Sequence, residues 1–459
     1  MAENKGFAMG RERGGRPRNL TLAAFAQASN VTTLPGSWRH PFADAGYLSL
    51  DYYIDLARTL DRGGVDLLFF DDRLAMPGVY GDSEREAVRC GARPVKLDPM
   101  LVLAGVAAST SRIGLAATCS TTYNAPYGLA RSFATLDHLS GGRAAWNIVT
   151  SVNGNEASNF GVEAVDHDQR YEMADEFMEA VCALWSTWDD GALVADRRSG
   201  TFALPDLVRP ADYSGRWHKA SGPLTVPRSP QGRPLLIQAG QSESGRAFAA
   251  RWADLVFANP HTFDASVAQR RDLHDRMDAH GRSADQVCFL PAMLPIVGET
   301  EAIAQAKVDV LTGLEDTMAS LVLLSEFTDH DFAQHDIDEP ISDELLASVG
   351  GSRGFLAGLT GRLHSELGRA PTVRDLAANR STVANALTFV GTTDQVADQI
   401  AEWFESGACD GFAVMAGHSP GTYEDFVRAV VPELRRRGLC AAHDQPATLR
   451  DRLGIEVAQ

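Results

Sequence analysis

Cysteine pairing is the first thing this chain lacks. Its six cysteines, Cys90, Cys119, Cys182, Cys288, Cys409 and Cys440, are scattered over 459 residues with no C-x-x-C spacing. That excludes a disulfide framework or a thiolate zinc site as the basis of the fold and predicts a reducing, cytoplasmic setting. Long apolar runs are missing as well: the longest, residues 100–108, falls far short of the roughly 18 residues a membrane span needs. Positive charge is scarce, with 42 Lys and Arg against 60 Asp and Glu, a formal charge of −18. Such a field repels nucleic acid and anionic membrane surfaces, so neither is expected as a partner. Lys5, Arg11, Arg13, Arg16 and Arg18 cluster at the start, but no apolar stretch follows them. Residues 1–18 are therefore expected to be a flexible tail and not a secretory signal. Three chemical signatures are absent too. No Gly-rich dinucleotide fingerprint follows the first strand, no G-x-S-x-G elbow occurs, and neither H-E-x-x-H nor another metal-ligand spacing is found. This argues against a bound nicotinamide cofactor, a serine hydrolase and a metalloenzyme.

What remains is an ordinary globular composition, 44% apolar and 22% charged, enough to bury a large core. Apolar segments read as strands at residues 20–25, 65–70, 113–117, 144–149, 235–239, 254–258, 289–297, 388–391 and 411–415. Stretches of helical spacing follow at 52–62, 99–109, 126–138, 171–188, 244–252, 265–279, 299–314, 393–405 and 423–437. Segment 65–70 shows little alternation, as expected of a strand buried on both faces. About eight core strands in β-then-α order predict an α/β protein, a (β/α)8 TIM barrel in one domain over 19–440. Gly- and Pro-rich residues 189–233 and the irregular helical stretch 315–385 read as insertions, and 441–459 as a C-terminal tail.

In such a barrel the active site forms at the strand C-termini. Walking along them gives Asp71-Asp72-Arg73, then Thr118, then Asn147 and Ser151, then Gly240-Gln241-Ser242-Glu243-Ser244-Gly245. Only one of Asp71 and Asp72 can face the pocket, since adjacent strand residues alternate; the other is free to pair with Arg73. The same alternation lets only one of Phe69 and Phe70 line the mouth. Asn147, on an apolar strand beside Trp146, needs partners for both ends of its amide, which backbone or a ligand could supply. The small residues from Gly240 to Gly245 precede a helix, where free N–H groups and hydroxyls could hold a phosphate or merely cap the helix. His167 and Tyr171 are one helical turn apart, a surface pair or a ligand pair. A carboxylate pair such as Asp72 with Glu163 leaves a hydrolase as the alternative enzyme class.

Together, Asn30-Val31-Thr32, Trp38-Arg39-His40, 66–72, 120–131, 136–151, 167–177, 226–245 and 420–431 resemble the bacterial-luciferase-like flavin monooxygenases, in the branch of the nitrilotriacetate, EDTA and dibenzothiophene sulfone enzymes. The resemblance covers nearly the whole chain. It implies a luciferase-like barrel that binds FMN at its mouth, with Asp72, Thr118, His167, Tyr171, Gly240 and Ser242 as flavin contacts. Asn147 would lie near the reactive edge, and Asn147 and Thr118 would be the catalytic pair. It further implies FMNH2 delivered by a separate NAD(P)H:flavin reductase, O2 as co-substrate, a flavin peroxide shielded from water, and a homodimer or homotetramer. Substrate contacts would include Thr33, Phe69, Phe257 and Phe327. Thr33 and Phe327 stand where the sulfone branch has histidines, which predicts a less polar or differently shaped small aromatic substrate, a sulfone or a halogenated compound. A flavin-binding protein without oxygen chemistry is the non-enzymatic alternative.

Overall fold

Eight short strands close into one parallel ring. They are β1 Thr21–Gln27, β2 Leu67–Asp71, β3 Gly114–Ser120, β4 Ala144–Val149, β5 Leu235–Gln238, β6 Leu255–Ala258, β7 Cys288–Val297 and β8 Gly411–Val414. Each pairs in parallel with the next, and β8 returns to β1. This computed structural model describes residues 12–13, 16–151, 153–349, 353–378, 387–441 and 447–456. A ninth segment expected as a strand, Leu387–Gly391, does form one but is not a stave of the ring. Met293 of β7 pairs with Val414 on one edge and Leu387 on the other, so Leu387–Gly391 continues the edge whose lower half holds β6. The length of β7 permits this, since its first half closes the barrel and its second half projects beyond it.

Strand alternation sorts the core into two layers. Ala23, Leu67, Phe69, Ala116, Ala145, Ile237, Phe257 and Leu290 fill the barrel interior, while Leu22, Leu68, Phe70, Ala117, Trp146 and Leu236 face the surrounding helices. Those helices are α1 Leu50–Gly63, α2 Pro99–Ala107, α3 Pro126–Ser140, α4 His167–Trp185, α5 Glu243–Trp252, α6 Phe263–Asp278 and α7 Glu301–Gly313. Side chains of Ser49, Asp98, Asp166, Ser242, Thr262 and Thr300 cap six of them by accepting early backbone N–H groups. The Asp166 cap starts α4 a turn before Tyr171, where the sequence pattern alone began it. Among the described residues no helix is long and apolar enough to cross a membrane.

The segment expected as a C-terminal tail departs from that reading. Residues Leu449–Leu453 form a helix, and Leu449, Leu453 and Ile455 join the barrel-interior cluster. They enter from the N-terminal end of the strands, since a Cβ on Gly114, the first residue of β3, would run into Leu449. Beside them Arg450 donates to Asp254 at 2.9 Å, and Arg233 donates to the same carboxylate at 2.9 Å. Burial alone would raise the pKa of Asp254, but the two guanidinium groups outweigh it and hold the carboxyl at about 2. Three apolar side chains and one ion pair therefore convert a sequence-level tail into a plug.

Both insertions lie outside the ring. Residues 189–233 carry two antiparallel hairpins, Leu193–Asp196 with Thr201–Ala203 and Tyr213–Ser214 with Lys219–Ala220. The second insertion contains α8 Thr317–Thr328 and α9 Arg353–Leu367 and has its own core of Leu321, Leu324, Phe332, Leu356, Leu363 and Leu376. One charged side chain docks it over the barrel mouth. Glu326, fully buried, accepts hydrogen bonds from Arg73 at 2.7 Å, from the Asn153 and Asn155 amides at 2.9 Å each, and from the N–H groups of Gly78 and Val79. The loops after β2 and β4 thereby share one carboxylate of the insertion.

Arg450→Ala leaves Asp254 with a single cation and is expected to destabilise the fold by about 3 kcal/mol, read as a lower urea midpoint. Because the folded pKa of Asp254 lies below the ordinary 3.8, its contribution is complete above about pH 4 and disappears as the pH falls towards 2. Acid unfolding of the variant should accordingly begin at higher pH than in the parent. Glu326→Ala strands the Arg73 guanidinium and two amides, at a cost of about 2–4 kcal/mol. Limited trypsin digestion should then cut the second insertion first, leaving the barrel protected, with Glu326→Gln intermediate.

Candidate active site

The inward alternation that fills the barrel with apolar side chains ends, on four adjacent strands, in polar ones. Following Ala23 and Phe25 comes Gln27; following Leu67 and Phe69 comes Asp71; following Ala116 comes Thr118; following Ala145 comes Asn147. Gln27 is in register with Asp71, and Thr118 with Asn147, so these residues form an arc around the C-terminal mouth. Lys96 bridges the first pair, donating to Asp71 at 2.5 Å and to the Gln27 carbonyl oxygen at 3.5 Å. In the second pair the Asn147 amide nitrogen donates to Thr118 Oγ1 at 3.0 Å, and that hydroxyl donates to the Phe70 carbonyl at 2.9 Å. The Asn147 carbonyl oxygen, Oδ1, is buried and has no partner. An unmet acceptor in a 4%-exposed side chain carries a desolvation cost that a ligand N–H would remove.

Immediately below the arc lie aromatic rings. Phe69 meets Phe25 edge-on at 4.9 Å and Phe257 at 4.8 Å. The structure thus puts Phe69, not Phe70, inside the barrel; Phe70 turns outward onto Tyr53. Phe69 and Phe257 form the apolar floor of the mouth.

A second corner is built between β4 and β5. Tyr171, in the first turns of α4, packs edge-on against Phe248 of α5. A Cβ on Gly240 would come within 2.9 Å of its hydroxyl, and one on Gly245 within 2.8 Å, so both glycines are needed for the turn to pass beneath that oxygen. Ser242 caps α5 by accepting from the Gly245 N–H at 3.1 Å and keeps its own O–H to donate. Ser244 donates to Asp168 at 2.9 Å, which ties the N-terminus of α5 to that of α4. Two helix N-termini, a phenol and a serine hydroxyl converge here, a setting suited to an anion. Arg170 adds a half-buried guanidinium whose Nε lacks a partner. His167 opens α4, and its side chain lies outside the described residues.

The two adjacent aspartates divide as alternation requires. Asp71 takes the inward register, whereas Asp72 lies just past β2 and accepts from the Arg73 N–H at 2.8 Å. Burial pushes the Asp72 carboxyl up to about 7, against the opposing pull of that hydrogen bond and of Lys96. The expected pairing of an aspartate with the Arg73 guanidinium does not occur, because Glu326 takes that group instead. Glu163 is exposed before α4, and no described contact joins it to Asp72. Thr33 lies in the β1 loop with its hydroxyl buried and unpartnered, and Phe327 follows Glu326 on α8 and is 37% exposed.

The residues that reading the sequence missed are Gln27, Arg93, Lys96, Arg170 and Glu326. Glu326 did leave a signal as the lone charged residue of the apolar stretch T-M-A-S-L-V-L-L-S-E-F-T. Gln27 continues the inward alternation of β1. Lys96 and Arg93 lie in an irregular loop whose course no local pattern specifies. Among the described residues no group of three or more His, Cys, Asp or Glu gathers as a metal site.

Comparison with known proteins gives this arrangement a family. The model of the luciferase-like monooxygenases matches residues 27–410. Dibenzothiophene-sulfone monooxygenase of Rhodococcus erythropolis is 43% identical over 449 residues, covering 96% of this chain and 98% of the relative. Nitrilotriacetate monooxygenase component A of Aminobacter aminovorans is 36% identical over 449 residues, covering 96% and 97%. A solved riboflavin lyase, crystallised with modified FMN and its substrate riboflavin, superposes with a TM-score of 0.85 at 33% identity, covering 95% of this chain and 96% of that one. On an eight-stranded parallel barrel with this mouth, matches of that extent mean that the chain belongs to the luciferase-like monooxygenase family of flavin-dependent enzymes.

Proposed function

We propose that this chain is the oxygenase component of a two-component system, taking FMNH2 from a separate NAD(P)H:flavin reductase and using O2 to cleave a carbon–heteroatom bond in a small aromatic substrate. A C–S bond of an aromatic sulfone is the favoured target. The observation that carries this reading is the pairing of an unmet buried acceptor, Asn147 Oδ1, with an anion-suited corner at Tyr171, Gly240 and Ser242 on one barrel mouth. Those residues fit FMN. Tyr171, Ser242 and the N–H groups around Gly240 would hold the phosphate, with His167 beside them in sequence, while Thr118 and Asn147 would meet the ring. The likeness to a riboflavin lyase solved with modified FMN supports the choice of cofactor.

Reduced flavin, when bound, supplies two electrons and NADH, through the reductase, two more, by which one oxygen atom of O2 enters the substrate at carbon, the other leaves as water and the sulfone sulfur departs as a sulfinate. The protein's own share is positioning, exclusion of water and proton handling. Thr118 fixes the Asn147 amide by accepting from its nitrogen, so that the carbonyl oxygen points where a ligand N–H can meet it. Phe25, Phe69 and Phe257 floor the mouth with apolar surface that keeps water from the reacting atoms. Asp72, held near 7 by burial, can keep or release a proton at its carboxyl close to neutral pH.

Purified protein mixed with FMN, a flavin reductase, NADH and dibenzothiophene sulfone under air should form a sulfinate product only when every component is present; equal turnover without flavin or under strict anaerobiosis would refute the reading. Asn147→Ala should lower product formation about 100-fold while NADH is still oxidised and hydrogen peroxide released, with FMN affinity nearly unchanged. Tyr171→Phe and Ser242→Ala should each weaken FMN binding about tenfold, measured by equilibrium dialysis, since each removes a hydrogen bond to a charged group.

A further inference from the structure

Where β1 and β2 end, the mouth carries Arg93, a cation that forms no ion pair with a carboxylate among the described residues. Arg93 is half-buried and donates one Nη2 hydrogen bond, to the Thr33 carbonyl at 3.2 Å. Its Nε is buried without a partner. The neighbouring carboxylate, Asp71, is committed to Lys96. Asp71 lies near enough to favour the charged guanidinium, yet forms no ion pair with it. Thr33, whose carbonyl Arg93 holds, has its Oγ1 buried and unmet, and so is Nε2 of Gln27, on the other side of Lys96. Gln27 is tied to the same spot by Lys96, which contacts both it and Asp71.

The backbone there is held in an unusual shape. Arg93 has φ of +58°, a left-handed conformation that costs a non-glycine residue of the order of 1 kcal/mol or more. Its N–H closes a tight turn onto Gly91, while Asn30 and Trp38 donate to the carbonyls of Gly91 and Cys90. The loop is thus locked against β1, and the guanidinium is delivered to the rim instead of to bulk water. A buried donor left unmet is costly, and an unpaired cation in the same place more so. Three such groups at the ends of β1 and β2 point to an acceptor supplied from outside.

We propose that Arg93, Thr33 and Gln27 form a substrate subsite that receives an oxygen-rich acceptor group, a sulfonyl, sulfinate or carboxylate, at the β1–β2 edge of the mouth. This rests on the oxygenase reading for the identity of the mouth but not for the binding itself. It also revises the expectation of a less polar substrate. Thr33 stands where a histidine was expected, and the guanidinium of Arg93 supplies donors at that same position. A halogenated hydrocarbon without oxygen acceptors would leave all three groups unmet.

Isothermal titration calorimetry on the full chain, with and without FMN, tests this with three probes: dibenzothiophene sulfone, benzenesulfinate and fluorene, the last having no acceptor oxygen. Arg93→Met should weaken the sulfone and the sulfinate about ten- to hundredfold and leave fluorene and FMN unchanged, with Arg93→Lys intermediate. The sulfinate arm should weaken with added salt more than the neutral sulfone arm, which separates charge pairing from hydrogen bonding. Thr33→Val, nearly isosteric, guards against misfolding of the Arg93 variants and should cost the sulfone about fivefold to tenfold. Equal affinity of Arg93→Met and the parent for both oxygenated probes, or an equal loss for fluorene, overturns the subsite. Tight sulfinate binding that depends on Arg93 in a protein that turns over nothing with FMNH2 and O2 would instead keep the subsite and defeat the oxygenase reading.

Discussion

Closure of the parallel ring is the constraint from which the rest follows. Once β8 pairs with β1, every strand residue points either into a filled interior or out onto a helix, and only the last inward position of each strand opens on a mouth. On β1 to β4 those positions hold Gln27, Asp71, Thr118 and Asn147. Polar side chains there are tolerated because each finds a partner across a strand pair: Lys96 for the first two, the Thr118 hydroxyl and the Phe70 carbonyl for the others. Two atoms are exceptions, Gln27 Nε2 and Asn147 Oδ1, and the second is the one that faces the flavin in the proposed function.

The mouth is held in shape by groups remote from any reaction. Glu326 gathers the β2 loop, the β4 loop and the second insertion around one carboxylate, a strong arrangement because a buried charge with five donors resists the removal of any of them. By taking the Arg73 guanidinium it also leaves Asp72 without a paired cation, which is why burial can raise that carboxyl towards neutrality. At the opposite end, the Arg450–Asp254–Arg233 cluster anchors the plug. A rigid floor and a clamped rim are what a site needs if it is to keep water from a reactive centre.

Strand and helix order was legible in the chain, because period-2 and period-3.6 patterns are local; the same alternation showed that only one of Phe69 and Phe70 can face inward, without saying which. The family resemblance was legible too, since it rests on short motifs spread along the length. Less legible were features that depend on where distant segments meet. Residues 447–456 read as a tail because three apolar residues, Leu449, Leu453 and Ile455, among charged ones carry no signal until a barrel end offers them a cavity. Arg73 stands beside Asp72 in sequence, yet its partner is 253 positions away.

The sequence by itself determined the order of strands and helices that closes as a barrel and the absence of a dinucleotide motif, because each depends on neighbours within a few residues; Thr118, Asn147, Tyr171, Gly240 and Ser242 it offered as candidates, through their places at strand ends and the family resemblance. Only the tertiary structure decided which aspartate turns inward, that Leu387–Gly391 stands outside the ring, and that Asp71 pairs with Lys96 and not with Arg93. Those outcomes are set by long-range competition for partners, in which Glu326, Lys96 and the β7 edge take what local pattern would have assigned elsewhere.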